Sequence, residues 1–442
     1  MHSIIIDKLG PIEHAELSDN KFMVFIGSQA SGKSTIAKAI YFFRTVKDDI
    51  LSMFIKKTTG NMVNASSDEK CVDHMNKILR EKFLGIFGSS RAMSKEMQVT
   101  YKYSDETYIN IKLDNDPSYK NHNFIMINYS HNIIDYFKIN DNALMNYSSV
   151  IPESEITSAK EEINNLFHDI YEIVYIPAGR SMITLLAEQL NYIYTIMDDI
   201  QKRTIDLCTR SYIENIIKLR PMFSNGLQGI ERDNPIKVRN NYKNITRAKK
   251  LANNVLKGVY RFNNGEDRLD IRNSRYVKIN YASSGQQEAV WIVNLLFYYL
   301  VQGKPSFFII EEPESHLFPE AQKHIIDLIA IFQNAGHSVL VTTHSPYVLG
   351  SINNLLYAGH VSEECSDSIN KIIDSSLWLK KSGVSGWYIN EGTVVNCVND
   401  EIGLINEYID EISNVINNDF DKMLSIKTNF DEEAGINNDA SI

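Results

Sequence analysis

An α/β fold on a central mixed β-sheet, with a β-hairpin lobe and a helical insertion, is the architecture this 442-residue sequence predicts. Three observations point to it. Short β-prone runs alternate with helical periods toward both ends of the chain. A glycine loop at residues 27–34 stands between one such run and a helical period. A wholly apolar run, Phe307-Phe308-Ile309-Ile310, ends in the two carboxylates Glu311 and Glu312.

In chain order, Ile4-Ile5-Ile6 and Phe22-Met23-Val24-Phe25-Ile26 read as strands separated by the turn residues Gly10-Pro11 and Ser18-Asp19-Asn20. The opening is therefore strand, turn, strand, loop, helix. The helix is predicted from Ile36, Ala37, Ile40, Phe43 and Val46, which recur at helical spacing. Residues 97–113 read as a hairpin turning near Ser104-Asp105, and residues 124–127 as a further strand. Val174-Tyr175-Ile176 reads as a strand running into the tight loop Pro177-Ala178-Gly179-Arg180.

Residues 181–260 are mostly helical and polar, broken near Pro221 and Pro235, with no heptad pattern long enough for a coiled coil. A second hairpin is predicted from residues 269–271 and 276–279. After it come an apolar helix at 288–301, the buried strand at 307–310, an amphipathic helix at 321–335 ended by Gly336, and a strand at 338–343. Leu404, Ile405, Tyr408, Ile409, Ile412, Val415, Ile416, Phe420 and Met423 form an apolar stripe on a C-terminal helix, which suits core packing. The expected segments are 1–50 and 266–400 as the two parts of one head, 51–170 as a β-hairpin and helical insertion, 171–265 as a helical sub-domain, 401–428 as a C-terminal helix and 429–442 as a loose tail.

A chain that is 43% hydrophobic and 23% charged can bury a substantial core. No run of about eighteen apolar residues suggests a membrane span, and Met1-His2-Ser3-Ile4-Ile5-Ile6 does not begin as a secretory signal, so a cytoplasmic protein is expected. Cys71, Cys208, Cys365 and Cys397 have no paired or metal-ligand spacing. The net charge of −10 argues against a surface that coats nucleic acid indiscriminately. A local basic run exists: Lys237, Arg239, Lys243, Arg247, Lys249, Lys250, Lys257 and Arg261, with no acid among them in sequence. A nucleic-acid contact and a solvated helical face are both open for it.

Four motifs carry chemistry. Gly27-Ser28-Gln29-Ala30-Ser31-Gly32-Lys33-Ser34, followed by Thr35, fits the phosphate-loop pattern. Its backbone N–H groups and helix N-terminus suit phosphates, Lys33 suits the β and γ oxygens of ATP, and the Ser34 hydroxyl suits Mg²⁺. Glu311 and Glu312 stand where open α/β sheets place ligands; the first suits the metal, and the second suits orienting and activating water. His344, after Thr342-Thr343, suits a γ-phosphate or its attacking water. Ser283-Ser284-Gly285-Gln286 precedes a helix whose N-terminus favours an anion.

In this order the motifs resemble those of ABC-class ATPases. Ser283 matches the signature's serine, Gly285 its second glycine and Gln286 its glutamine; Ser284 and Ala282 replace its first glycine and its leucine. The resemblance implies an ABC-type P-loop ATPase head, ATP and Mg²⁺ as cofactors, and a homodimer or higher oligomer with composite ATP sites. Gly10-Pro11-Ile12, Ile176-Pro177-Ala178-Gly179-Arg180 and Glu311-Glu312-Pro313-Glu314-Ser315-His316-Leu317-Phe318-Pro319 narrow it to RecF- and OLD-like (SMC-related) ATPases, many of which stand alone or act in bacterial anti-phage defence modules. Glu311 stands in the usual aspartate's place, and Gln29-Ala30 departs from the more frequent Asn-Gly. Arg180 suits either a phosphate or nucleic-acid contact or a structural salt bridge. Only 98 residues follow His344, without an acidic metal cluster, so no Toprim nuclease domain is expected. A separately encoded effector, a nuclease or a toxin, is the implied partner. A RecF-like repair ATPase acting on DNA and a scaffold that holds ATP structurally are the alternatives. A transport subunit would not need about 250 residues between Lys33 and Gly285.

Overall fold

A computed structural model describes residues 1–58, 70–114, 124–144, 152–185, 196–197, 205–271, 275–399, 402–406 and 417–427. Eleven strands form one sheet: β1 (Ser3–Leu9), β2 (Ile12–Ser18), β3 (Phe22–Ile26), β4 (Gln98–Lys102), β5 (Tyr108–Asp114), β6 (Phe124–Tyr129), β7 (Glu172–Ile176), β11 (Ser306–Glu311), β12 (Ser338–Thr343), β13 (Val384–Asn390) and β14 (Thr393–Asn396). Their order is β6-β5-β4-β1-β2-β14-β13-β3-β12-β11-β7. A separate antiparallel sheet has the order β10-β9-β8, from β8 (Val259–Asn263), β9 (Glu266–Asp270) and β10 (Tyr276–Lys278).

The large sheet is mixed. On one side, β6, β5, β4, β1 and β2 pair antiparallel. On the other, β13, β3, β12, β11 and β7 run parallel. Every residue of β3, β11 and β12 is buried, as strands covered by helices on both faces must be. Alternate residues serve two cores. Phe22, Val24, Phe308, Ile310, Val339 and Val341 face one, packed by the helices Tyr242–Leu256, Ser284–Gln302 and Pro319–Asn334. Met23, Phe25, Phe307, Ile309 and Leu340 face the other, which includes the apolar side of the helix Lys33–Arg44. Because β3, β12 and β11 are adjacent and parallel, the residues just after Ile26, Thr343 and Glu311 come out at the same edge.

Two features depart from the sequence reading. β2 stands where a turn was expected: Ile12, Ala15 and Leu17 are buried while Glu13, His14 and Glu16 face water, so its charges mark one wet face. The hairpin at 269–279 gains a third strand, β8. Of the C-terminal stripe, Leu404 and Ile405 pack on the first core, Phe420 and Met423 are exposed, and Tyr408, Ile409, Ile412, Val415 and Ile416 lie outside the described residues, as does the tail at 429–442. No described helix is long and apolar enough to cross a membrane. Cys71, Cys208 and Cys397 are buried, and Cys365 is exposed.

Candidate functional site

Residues 27–32 turn between β3 and the helix Lys33–Arg44. Gly27 is dictated by close approach: a Cβ there would lie 2.0 Å from the Ile389 carbonyl oxygen. Gly32 caps the helix at φ 108 without any side-chain bond, leaving first-turn N–H groups for a ligand. Ser28, Gln29 and Ala30 line an exposed rim, Ser34 is exposed and Thr35 half-buried. Ala30 sits at φ 61, a left-handed conformation that costs a residue with a Cβ about 1–2 kcal/mol. The Ser31 hydroxyl is buried, with no hydrogen-bond partner among the described residues.

Lys33 Nζ donates to the carbonyls of Gly27 (2.9 Å) and Ser28 (2.7 Å) and lies 3.5 Å from His344 Nδ1. Burial lowers its pKa to about 8, against the pull of Glu312, Glu314 and Glu311. His344 Nε2 is hydrogen-bonded to Glu312 Oε1 at 3.1 Å. That bond holds the Glu312 carboxyl below its ordinary range, helped by Ser315, whose hydroxyl donates to Oε2 at 3.2 Å. Glu312 is itself left-handed at φ 43, and its N–H donates to the Thr342 carbonyl at 2.9 Å. Strained backbone of this kind collects at functional sites.

Glu311 is buried at the end of β11. Its Oε2 accepts from the Ala178 N–H at 3.2 Å, and the buried Tyr175 hydroxyl also faces the carboxylate. A buried carboxylate close enough to act on Lys33 of the phosphate loop fits Mg²⁺. Among the described residues no group of three or more His, Cys, Asp or Glu could hold a metal by itself. Magnesium shared with nucleotide phosphates needs only one or two protein oxygens, so Glu311 and Ser34 suffice.

The fourth motif is built differently. Ser283 is the N-cap of the helix Ser284–Gln302; its Oγ accepts from Gln286 N–H at 3.3 Å, and Gln286 Oε1 accepts from Ser283 N–H at 3.0 Å, a capping box. Gln286 Nε2 donates to the Leu256 carbonyl at 2.7 Å. A Cβ on Gly285 would lie 2.6 Å from the His316 carbonyl, so this glycine admits the loop that follows Glu312. Ser283 and Ser284 are exposed. Among the described residues, no hydrogen bond joins residues 283–286 to the phosphate loop, Glu311, Glu312 or His344. The structure brings three motifs together and leaves the signature apart.

Two residues of this region had no role assigned from sequence. Glu314 accepts from Thr343 Oγ1 (2.6 Å) and from the His344 N–H (2.8 Å), fixing the histidine's backbone; burial raises its pKa. Glu288 receives Arg180, which is wholly buried and makes a structural salt bridge, not a phosphate contact. A lone carboxylate in an otherwise uncharged helix was the available signal for Glu288, though nothing local named its partner.

The basic run is compensated from distant elements. Arg247 and Lys243 pair with Asp374, Lys249 with Glu231, Lys257 with Glu320 and Arg261 with Asp270, while Lys237 donates to the Gln302 side chain. Arg239 and Lys250 have no such ion pair among the described residues.

Residues 1–349 match the AAA ATPase domain family, and the chain belongs to it. That is a family of ATPase domains, and the phosphate-loop motif at residues 27–34 lies within the matched region. Two curated relatives are the energy-coupling factor transporter ATP-binding proteins EcfA2 of Lactobacillus gasseri and Lactobacillus johnsonii. Each is 28% identical over 102 residues, 22% of this chain and 33% of theirs, so the alignment spans a third of the relatives' length. Similar solved structures include an SMC head bound to the C-terminal winged-helix domain of ScpA (TM-score 0.37, 12% identity, 89% of this chain and 96% of that one). Another is an SMC head bound to the C-terminal domain of ScpA from Pyrococcus furiosus (0.38, 15%, 90% and 96%). A third is the SMC head of Thermotoga maritima (0.34, 12%, 89% and 97%).

Proposed function

We propose that this ATPase is an ATP-driven switch of the ABC type, in which two copies close over ATP. The separation of the motifs carries the reading. Lys33, Glu312 and His344 form one contiguous cluster, whereas Ser283 and Ser284 stand exposed on another helix N-terminus. An anion-favouring helix end that, among the described residues, makes no hydrogen bond to its own phosphate loop suits a second protomer's nucleotide.

In this reading residues 27–35 cradle the phosphates, and Lys33 meets the β and γ oxygens of ATP once it leaves the Gly27 and Ser28 carbonyls. Mg²⁺, held by Ser34 and Glu311, would neutralise phosphate charge. Glu312 orients and deprotonates the attacking water, its carboxylate kept ionised by His344, and His344 contacts the γ-phosphate. Residues 283–286 of the partner subunit close over that phosphate. Loss of the γ-phosphate removes what the two halves share, and the dimer opens.

The output is proposed, on the motif resemblance alone, to be a separately encoded nuclease or toxin in a cytoplasmic anti-phage defence complex. The repair alternative needs a surface for DNA, and five of the eight basic residues that would form it are already paired with carboxylates. The test is the native mass of the Glu312→Gln variant, expressed with its neighbouring genes, with and without ATP. An ATP-dependent doubling that carries a second protein supports the switch. A nucleotide-independent mass with no companion contradicts it.

A further inference from the structure

The loop Pro177-Ala178-Gly179-Arg180 lies between the acidic strand and the signature helix, and its arginine is tied to both. Arg180 Nη1 donates to the carbonyls of Glu311 (2.6 Å) and Pro177 (2.6 Å), and Nη2 donates to the carbonyl of Glu312 (2.8 Å). Its Nε donates to the Glu288 carbonyl at 3.0 Å and lies 3.2 Å from Glu288 Oε2. The Glu288 carboxylate also accepts from the N–H groups of Arg180 (3.1 Å) and Ser181 (2.9 Å), and Thr184 Oγ1 donates to the Gln287 carbonyl at 3.0 Å. Both side chains of the ion pair are buried. Glu288 lies one helical turn beyond Ser284 in the helix Ser284–Gln302.

We propose that Arg180 is a positioning residue for hydrolysis: anchored by Glu288 of the signature helix, it holds the left-handed Glu312 backbone and so couples the placement of that carboxylate to engagement of the signature. Glu312 is pinned from both sides, its N–H on the Thr342 carbonyl and its C=O on Arg180. A residue with a Cβ stays left-handed only where its surroundings over-determine it. The planar guanidinium fork reaches two successive carbonyls, Glu311 and Glu312, while its Nε still faces Glu288. A lysine ammonium, with donors on one atom, cannot span that set. A small rotation of the signature helix would move Glu288, with it Arg180, and with that the Glu312 carbonyl. The relay rests on the proposed closure of residues 283–286 over a partner's nucleotide; the positioning of Glu312 does not.

The test compares Arg180→Lys and Glu288→Gln in the full chain, measuring fluorescent-ATP affinity, kcat, KM and thermal midpoint. Positioning predicts kcat down at least about tenfold, with affinity and KM within about threefold. Unchanged kcat in either folded variant, or affinity and kcat lost in parallel with the thermal midpoint, overturns it. If Arg180→Lys does not fold, Glu288→Gln decides alone. The relay is tested with Ser283→Ala: a double variant with Glu288→Gln no slower than the worse single variant supports it, and multiplying losses overturn it. A Ser283→Ala single variant of wild-type kcat would remove the closure reading, and the relay with it, while leaving the positioning result standing.

Discussion

The phosphate side and the signature side of this ATPase are made in opposite ways. On the phosphate side, groups that follow three neighbouring strands meet: Lys33 reaches His344, His344 reaches Glu312, and Glu314 pins His344. On the signature side, Ser283 and Gln286 satisfy one another in a capping box, and Ser283 and Ser284 stay exposed. The first is an interlocked half-site and the second a self-contained surface. Damage to the first should therefore disable nucleotide handling in a single copy, while damage to the second should show only when copies meet.

The largest effect is expected at Lys33. Lys33→Ala removes the cation that faces the phosphates, and nucleotide affinity should fall at least about a hundredfold by calorimetry, the scale of losing one buried charge-assisted contact. Retained affinity would break the phosphate-loop assignment. Next, Glu312→Gln should lower kcat by about 10²–10⁴-fold while leaving ATP affinity intact, the usual weight of general-base catalysis. Equal loss of both would move Glu312 from chemistry to binding.

A pH series sharpens the same side. Burial sets Lys33 at about 8 in the free protein, and bound phosphates favour its charged form. Binding therefore takes up a proton above pH 8. Affinity should fall as pH rises through about 8, by at most about tenfold per unit, and be flat below it. An affinity independent of pH between 7 and 9.5 would contradict a role for the charged lysine.

On the signature side, Ser283→Ala deletes half of the capping box and should cost about 1 kcal/mol in chemical denaturation, leaving the affinity of a lone copy unchanged. If it weakens nucleotide binding by a single copy as Lys33→Ala does, the two sides are not separate. The smallest effect is at Ala30: glycine relieves its left-handed backbone, and Ala30→Gly should stabilise the fold by up to about 1 kcal/mol. A destabilised variant would show that the loop's strain is held by contacts of the methyl group.

The phosphate loop was legible because its chemistry is written in eight consecutive residues between a strand and a helix. β11 and β12 were legible because a strand buried on both faces has no polar side chain within it until its end. β2 was not, since Glu13, His14 and Glu16 sit on its wet face and Gly10-Pro11 reads as a turn. The Arg180–Glu288 pair joins residues 108 apart, and nothing local announces it. The basic run misled in the same way: its acids come from residues 231, 270, 320 and 374, which only folding brings near.

The central claim, that one copy's signature completes another's site, is tested most directly by mixing two dead proteins. Lys33→Ala lacks the phosphate side. Ser284→Glu puts a charge that repels phosphate on the exposed first turn, where an acid also suits the helix N-terminus and spares the fold. At equal mixing half of the dimers are mixed and each holds one whole composite site, so ATP turnover should return to about a quarter of wild type. Turnover no higher than either variant alone, or a Ser284→Glu protein that is fully active by itself, would contradict a site shared between copies.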